Sequence, residues 1–211
     1  MRTKKDILEI IKRLDAYIPH PKSDLEYTNA YTLLVAVVLS AQSTDKGVNK
    51  ATKILFPLAD TPQKMLDLGL DKLKTYIKTI GLYNNKAKSI ISFSQDLVAK
   101  FNGQVPATRE ELMSLAGVGR KTANVILNVW YKQPTLAVDT HVGRVANRLD
   151  FSQHTDPLKI EQDLEKIIPN QYKLKAHHLL ILFGRYTCKA QRPLCEHCPI
   201  SDLCYSPDKR I

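Results

Sequence analysis

An all-α fold is the class this 211-residue sequence predicts, and three observations predict it. Apolar residues recur at helical spacing along nearly the whole length. Threonine, aspartate and proline precede many of these stretches and glycine follows them, which are helix start and stop signals. No segment alternates apolar and polar residues as a half-buried strand would, and no unit repeats at a fixed period. About ten helices with short connections are expected.

Ile7, Ile10, Ile11 and Leu14 form one face of a first helix, which Pro19 and Pro21 end. Tyr31 to Leu39 is apolar on most sides and reads as a buried helix. Val48, Ala51 and Leu55 mark the next. Thr61 before Pro62 is an N-cap with proline at the first helical position, and Gly69 closes that helix. Leu73, Tyr76, Ile77 and Ile80 make a further face, closed by Gly81. A long helix runs from Ala87 to Phe101 and ends near Gly103. Thr108 and Glu111 have capping-box spacing ahead of Leu112 and Leu115. Thr122–Trp130, a face of Val142, Val145, Ala146 and Leu149, a helix opened by Asp156–Pro157, and a last one from Tyr172 to about Thr187 complete the series.

Composition narrows the function. The chain is 44% hydrophobic and 25% charged, so it is neither a disordered chain nor a fibre. Its longest apolar run, about Leu33 to Leu39, is far short of the ~18 residues a spanning helix needs. Charges at Glu9, Lys12 and Arg13 interrupt any signal-like stretch. A protein of a reducing, cytoplasmic compartment is expected, in which four cysteines are metal-ligand candidates rather than disulfides. The formal net charge of +10 points to a polyanionic partner, with nucleic acid the default. A lysine-rich surface that serves only solubility would give the same number.

The segment Leu115-Ala116-Gly117-Val118-Gly119-Arg120-Lys121-Thr122-Ala123 places two glycines between one helix end and the next helix start. Gly117 and Gly119 allow a tight turn and leave backbone N–H groups facing outward, an arrangement that suits a phosphate, with Arg120 adding charge. An ordinary helix–helix turn is the plain alternative. Lys121 is either one more phosphate contact or an amine nucleophile. A helix start and desolvation both favour the neutral, nucleophilic amine; the helix end supplies at most ~2 kcal/mol, so bound DNA would have to supply the remainder by excluding water. Asp139, eighteen residues on in Val138-Asp139-Thr140-His141, reads as an N-cap. The same carboxylate, held in place by the cap, can accept a proton or stabilise a developing cation, although a negative charge near Lys121 would favour its protonated form.

The cysteines fall as Cys188-x6-Cys195-x2-Cys198-x5-Cys204, four thiols within 17 residues. That density implies metal. Zinc and an iron–sulfur cluster both accept four thiolates, and the absence of two paired C-x2-C units weighs somewhat against zinc. Lys189 and Arg192 lie in the same loop, as phosphate contacts or as solvated charges.

Taken together, Leu39-Ser40-Ala41-Gln42-Ser43-Thr44-Asp45, Ile80-Gly81-Leu82-Tyr83-Asn84, Gly117-Val118-Gly119-Arg120-Lys121-Thr122-Ala123-Asn124, Val138-Asp139-Thr140-His141 and the x6, x2, x5 cysteine spacing resemble the bacterial endonuclease III family of helix-hairpin-helix DNA glycosylases, over essentially the whole chain. The resemblance implies a two-lobed fold: a six-helix domain over 23–133 containing the hairpin at about 108–131, and a cluster domain formed by 1–22 with 134–211, whose loop 188–204 holds a [4Fe-4S] cluster on Cys188, Cys195, Cys198 and Cys204. It implies that damaged duplex DNA lies between the lobes, where Lys121 and Asp139 face each other. It also implies removal of oxidised pyrimidines followed by strand cleavage 3′ to the abasic site through a lysine Schiff base. By the same resemblance Gln42 fills the gap left by the flipped base and Leu82 wedges the duplex. Gly117, Gly119 and Arg120 are candidate DNA contacts by the chemistry of the hairpin, Lys189 and Arg192 by their place in the cysteine loop, and His141 either faces DNA or is a satisfied structural histidine. A cytoplasmic, nucleoid-associated monomer is expected.

Two positions depart from the family's pattern. Ala116 stands where proline is common before the first hairpin glycine, and Gly143 where a bulky aromatic is common. Three alternatives stay open at this level. One is the adenine-removing branch, which lacks a lysine at the position of Lys121 and carries an extra C-terminal domain; this sequence has the lysine and ends seven residues after Cys204. The others are a mismatch-specific thymine or uracil glycosylase and a non-catalytic DNA-binding module.

Overall fold

The structure, a computed structural model that describes residues 2–210, contains eleven α-helices and two short 3₁₀ turns, with no strand among the described residues. The helices are α1 (Lys4–Tyr17), α2 (Ala30–Ser40), α3 (Asp45–Leu55), α4 (Pro62–Leu68), α5 (Leu70–Ile77), α6 (Tyr83–Phe101), α7 (Arg109–Met113), α8 (Arg120–Val129), α9 (Thr140–Arg148), α10 (Pro157–Ile167) and α11 (Asn170–Tyr186). The chain divides into two compact units, Ser23–Tyr131 and Met1–Lys22 with Lys132–Ile211. Each has its own apolar core.

In the 23–131 unit, α2 is the central element. All nine residues from Tyr31 to Leu39 are buried, as a helix apolar on every side must be. Each large aliphatic side chain buried there contributes about 1.5–3 kcal/mol. Asn29 starts the helix by accepting from the Thr32 amide at 2.8 Å, while the Thr32 hydroxyl accepts from the Asn29 amide at 2.9 Å, a reciprocal cap. Within this core the Tyr31 hydroxyl meets Ser94 Oγ at 2.6 Å, so the one phenol buried on α2 has its polar end satisfied. Burial pushes that phenol well above the usual tyrosine range. Gly69 closes α4 with φ +79°, as its position predicts, and α5 begins on the next residue.

The 1–22 and 132–211 unit is built from α1, α9, α10 and α11. Ile7, Ile10, Ile11 and Leu14 of α1 are buried against Val142, Val145 and Ala146 of α9, Ile160 and Leu164 of α10, and Ala176, Leu180 and Phe183 of α11. Helices α9 and α11 cross closely at Gly184. A Cβ there would come within 3.0 Å of His141 Cβ and of a Val145 methyl. Asp156 caps α10 by accepting from the Lys159 amide at 2.9 Å, ahead of Pro157.

Several local expectations shift. Helix α5 stops at Ile77, and Ile80 is buried from the turn that follows. Gly81 does not close it in a left-handed conformation; the positive φ, +57°, falls on Leu82, which precedes α6. Helix α6 starts at Tyr83, four residues before the first residue of its apolar face, Ala87, with the Lys86 amide donating to the Leu82 carbonyl at 3.1 Å in its first turn. Helix α8 starts at Arg120 rather than Thr122, with Gly119 as N-cap.

Candidate functional site

The hairpin between α7 and α8 is set by its buried residues. Leu115 and Val118 are buried, and the Val118 amide donates to the Leu115 carbonyl at 3.1 Å, closing a tight turn around Ala116 and Gly117. The two glycines do different work. Gly117 has φ +76°, and a Cβ there would lie 2.8 Å from Ser89 Cβ, so any side chain at this position is strained on two counts. Gly119 has φ −90° and extended geometry, and a Cβ there would meet nothing within 4 Å. Its lack of a side chain leaves an open approach to the first turn of α8, where the leading amides have no helical partner. Thr108 caps α7 by accepting from the Glu111 amide at 3.3 Å, and its hydroxyl meets Glu111 Oε2 at 2.6 Å; the carboxylate therefore closes on the hydroxyl rather than on the cap's amide. Arg109 Nε donates to Asn124 Oδ1 at 2.9 Å, tying α7 to α8. Lys121, second residue of α8, is exposed, and Arg120 is half-buried beside it.

Gln42 and Leu82 lie in neighbouring turns of the same unit. Both are exposed, and both hold a left-handed backbone, φ +55° and +57°. A Cβ at Gly81 would lie 3.4 Å from the Gln42 carbonyl, so the two turns are in contact. Non-glycine residues in this region cost of order 1–3 kcal/mol each and cluster where strain serves a function. Nothing in the sequence marks these φ angles, because neither glutamine nor leucine favours them.

Asp139 is the N-cap of α9. Its Oδ1 accepts from the amides of His141 at 2.9 Å and Val142 at 2.8 Å. Both bonds fall on one oxygen, which fixes the carboxylate and leaves Oδ2 available. His141 is half-buried, with Nδ1 3.3 Å from Arg144 Nη2 and its backbone against Gly184. At Gly143 a Cβ would find Ile160 Cδ1 at 3.6 Å, so the isoleucine of α10 occupies the space into which a larger side chain would project.

The four cysteines line one cavity of about 30 Å³, together with Leu149, Phe183 and Ile200. No three of the described His, Cys, Asp or Glu side chains close on a single ion. Donors surround the sulfurs. Arg148 Nη1 lies 3.5 Å from Cys188 Sγ, and the Arg210 amide donates to Cys195 Sγ at 3.4 Å. Burial pushes the Cys188 thiol up, against the opposing pull of Arg148, and pushes Cys198 up to about 11, against the Ile200 amide. Four cysteine sulfurs lining one pocket, with N–H donors at Cys188 and Cys195 Sγ, form a donor set that fits an iron–sulfur group, whose bound iron would hold the sulfurs as thiolates.

Two arginines not singled out from the sequence join this loop to α9. Arg144 Nε donates to the Cys188 carbonyl at 3.1 Å and its Nη2 to the Gly184 carbonyl at 2.7 Å. Arg148 donates to the carbonyls of Lys189 at 2.6 Å and Ala190 at 3.2 Å. The helix that Asp139 caps is thus fastened along its length to the cysteine loop. The i, i+4 spacing of the two arginines was the only sequence signal for this, and solvated helix faces share it. Lys189 and Arg192 are exposed on the loop itself.

Comparisons with known proteins agree with this arrangement. Residues 35–170 match the model of the HhH-GPD superfamily base excision DNA repair proteins, and residues 188–204 match the iron–sulfur binding domain of endonuclease III. The chain is 56% identical to endonuclease III of Haemophilus influenzae over 99% of its own length and 98% of the relative's. It is 51% identical to that of Escherichia coli K12 over 96% of each. A trapped endonuclease III–DNA covalent intermediate superposes with a TM-score of 0.92 at 47% identity, covering 97% of both chains. A thermostable thymine-DNA glycosylase shares the fold, with a TM-score of 0.86 at 21% identity over 95% of this chain and 96% of that one. Fold and site thus define a base-excision DNA repair enzyme of the helix-hairpin-helix class. Within that class, the chain belongs to the endonuclease III family. Its cofactor is a [4Fe-4S] cluster, which decides the alternative of zinc that cysteine spacing leaves open. No helix among the described residues is long and apolar enough to cross a membrane.

Proposed function

We propose that the protein removes oxidised pyrimidines from duplex DNA and cleaves the strand at the resulting abasic site, with Lys121 as the nucleophile and Asp139 as its acidic partner. The observation that carries this reading is the likeness, over 97% of both chains, to an endonuclease III trapped covalently on DNA. A covalent DNA intermediate requires a nucleophile. Lys121 stands exposed at the start of the hairpin's second helix, where a DNA backbone can approach past Gly119.

The damaged nucleotide is flipped out at a cost of a few kcal/mol, lower for a damaged pair. The neutral Lys121 amine attacks C1′ as the C1′–base bond breaks, and the base leaves with the bonding electrons. Opening of the sugar ring gives an imine to Lys121. The imine acidifies C2′, loss of a C2′ proton expels the 3′ phosphate, and hydrolysis returns the free amine. Asp139, held through Oδ1, uses Oδ2 to stabilise positive charge at the sugar and to relay protons. Gln42 occupies the space left by the flipped base and Leu82 parts the neighbouring pair. The hairpin amides, Arg120, His141, Lys189 and Arg192 contact the DNA. Cys188, Cys195, Cys198 and Cys204 hold the cluster, which positions this loop and takes no part in the electron bookkeeping of the reaction. The protein acts as a cytoplasmic, nucleoid-associated monomer.

Borohydride reduction in the presence of an abasic-site duplex tests the assignment. Wild type gives a covalent protein–DNA adduct, and Lys121→Gln gives none while still binding the duplex. An adduct that persists in Lys121→Gln overturns the choice of nucleophile.

A further inference from the structure

Lys86 is a buried lysine that the proposed chemistry does not use. It lies on the first turn of α6 and is 7% exposed. Its Nζ donates to the carbonyls of Leu39 (2.9 Å) and Ala41 and to Ser43 Oγ (3.2 Å). An ammonium has three protons to donate, and all three have acceptors. Its backbone amide donates to the Leu82 carbonyl at 3.1 Å. One residue therefore grips the turn that carries Gln42 with its side chain and the turn that carries Leu82 with its main chain. The contact of Gly81 with the Gln42 carbonyl lies beside this brace.

We propose that Lys86 is a positioning residue that locks the Gln42 turn to the Leu82 turn, so that both side chains enter the duplex as one rigid wedge. This rests on the proposed roles of Gln42 and Leu82. The placement fits the physics of both partners. The carbonyl end of α2 is a site for positive charge. Burial of an ammonium is costly unless every proton is bonded, and burial does push this amine below the usual lysine range. A leucine at that depth would spare the cost but would release three acceptors and free the Gln42 backbone to leave its left-handed conformation.

Two substrates and five variants separate the possibilities. Lys86→Met slows base release from a lesion duplex about tenfold or more, as a small misplacement near the chemistry does. It leaves borohydride trapping on single-stranded abasic DNA, which has no partner strand to part, within about twofold of wild type. The salt dependence of duplex binding stays unchanged, whereas loss of a phosphate-contacting lysine lowers its slope by about one. Lys86→Arg, which still presents donors to the same carbonyls, retains most of the duplex rate. Equal slowing on duplex and single strand, or a folded Lys86→Met with full duplex activity, overturns the proposal. Gln42→Ala and Leu82→Ala report on the reading beneath it: if neither slows base release from the duplex, the wedge itself is refuted and Lys86 with it. If they do and Lys86→Met does not, the brace alone is refuted. Should Lys86→Met fail to fold, Ser43→Ala removes one acceptor and gives a smaller, duplex-only loss; no loss overturns the brace.

Discussion

At Asp139 an observed structural role and a proposed chemical one fall on the same carboxylate. Asp139 caps α9 through Oδ1 alone. Asparagine caps helices about as well as aspartate, so Asp139→Asn keeps the helix start and removes only the charge. We predict a folded variant with an unchanged melting temperature and a base-release rate lowered about 10²-fold or more, in the range lost with a positioned acid or base. Single-turnover kinetics beside thermal melting checks this, and full activity in the folded variant removes Asp139 from the mechanism. The same division appears at the arginines. Arg144 and Arg148 look like surface charges in sequence, yet each donates to main-chain carbonyls of the cysteine loop.

At the scale of elements, the hairpin shows why two glycines one residue apart are not equivalent. Gly117 serves the fold, whereas Gly119 leaves the start of α8 open to the outside. Gly117→Ala puts a Cβ at φ +76° and against Ser89. The expected loss is about 1–3 kcal/mol, seen as a lower melting temperature, with DNA affinity falling in parallel. Gly119→Ala meets no protein atom within 4 Å and should leave the melting temperature within about a degree, since surface changes shift stability little. Its cost is expected in duplex affinity, measured by titration. Equal affinity in wild type and Gly119→Ala would refute a close DNA approach at that residue. The left-handed turns at Gln42 and Leu82 belong to the same scale, since each is strained alone and the two lie side by side at Gly81.

At the scale of the molecule, the cofactor and the cysteine unit stand or fall together. The cluster cavity is walled by residues of the same apolar core that α1, α9 and α11 share, so losing a ligand exposes that core. Cys195→Ser is predicted to lower the melting temperature and to reduce the broad visible absorbance of the iron–sulfur cluster. The 23–131 unit, with its separate core, should retain its helical circular dichroism. Metal analysis of the wild type gives iron and sulfide; stoichiometric zinc without iron would reject the ligand assignment. The net charge of +10 acts at this scale too, because it favours a polyanion without choosing where the polyanion lies.

Helical spacing, caps and punctuation were enough to predict the all-α class and most helices, because an amphipathic helix announces its buried face in a period of 3.6 residues and its ends in local hydrogen bonds. Thr61, Thr108, Asp139 and Asp156 were legible as caps for that reason. The cysteine loop and the hairpin were legible because metal and turn chemistry demand particular residue types at short spacing. Tertiary structure alone decided the rest. The φ angles of Gln42 and Leu82, the burial of Lys86, the fastening of α9 to Cys188 through Arg144, and the different duties of Gly117 and Gly119 all arise from atoms far apart in the chain. Local propensity runs against several of these choices, and only long-range contacts that supply more than the strain or burial costs can hold them in place.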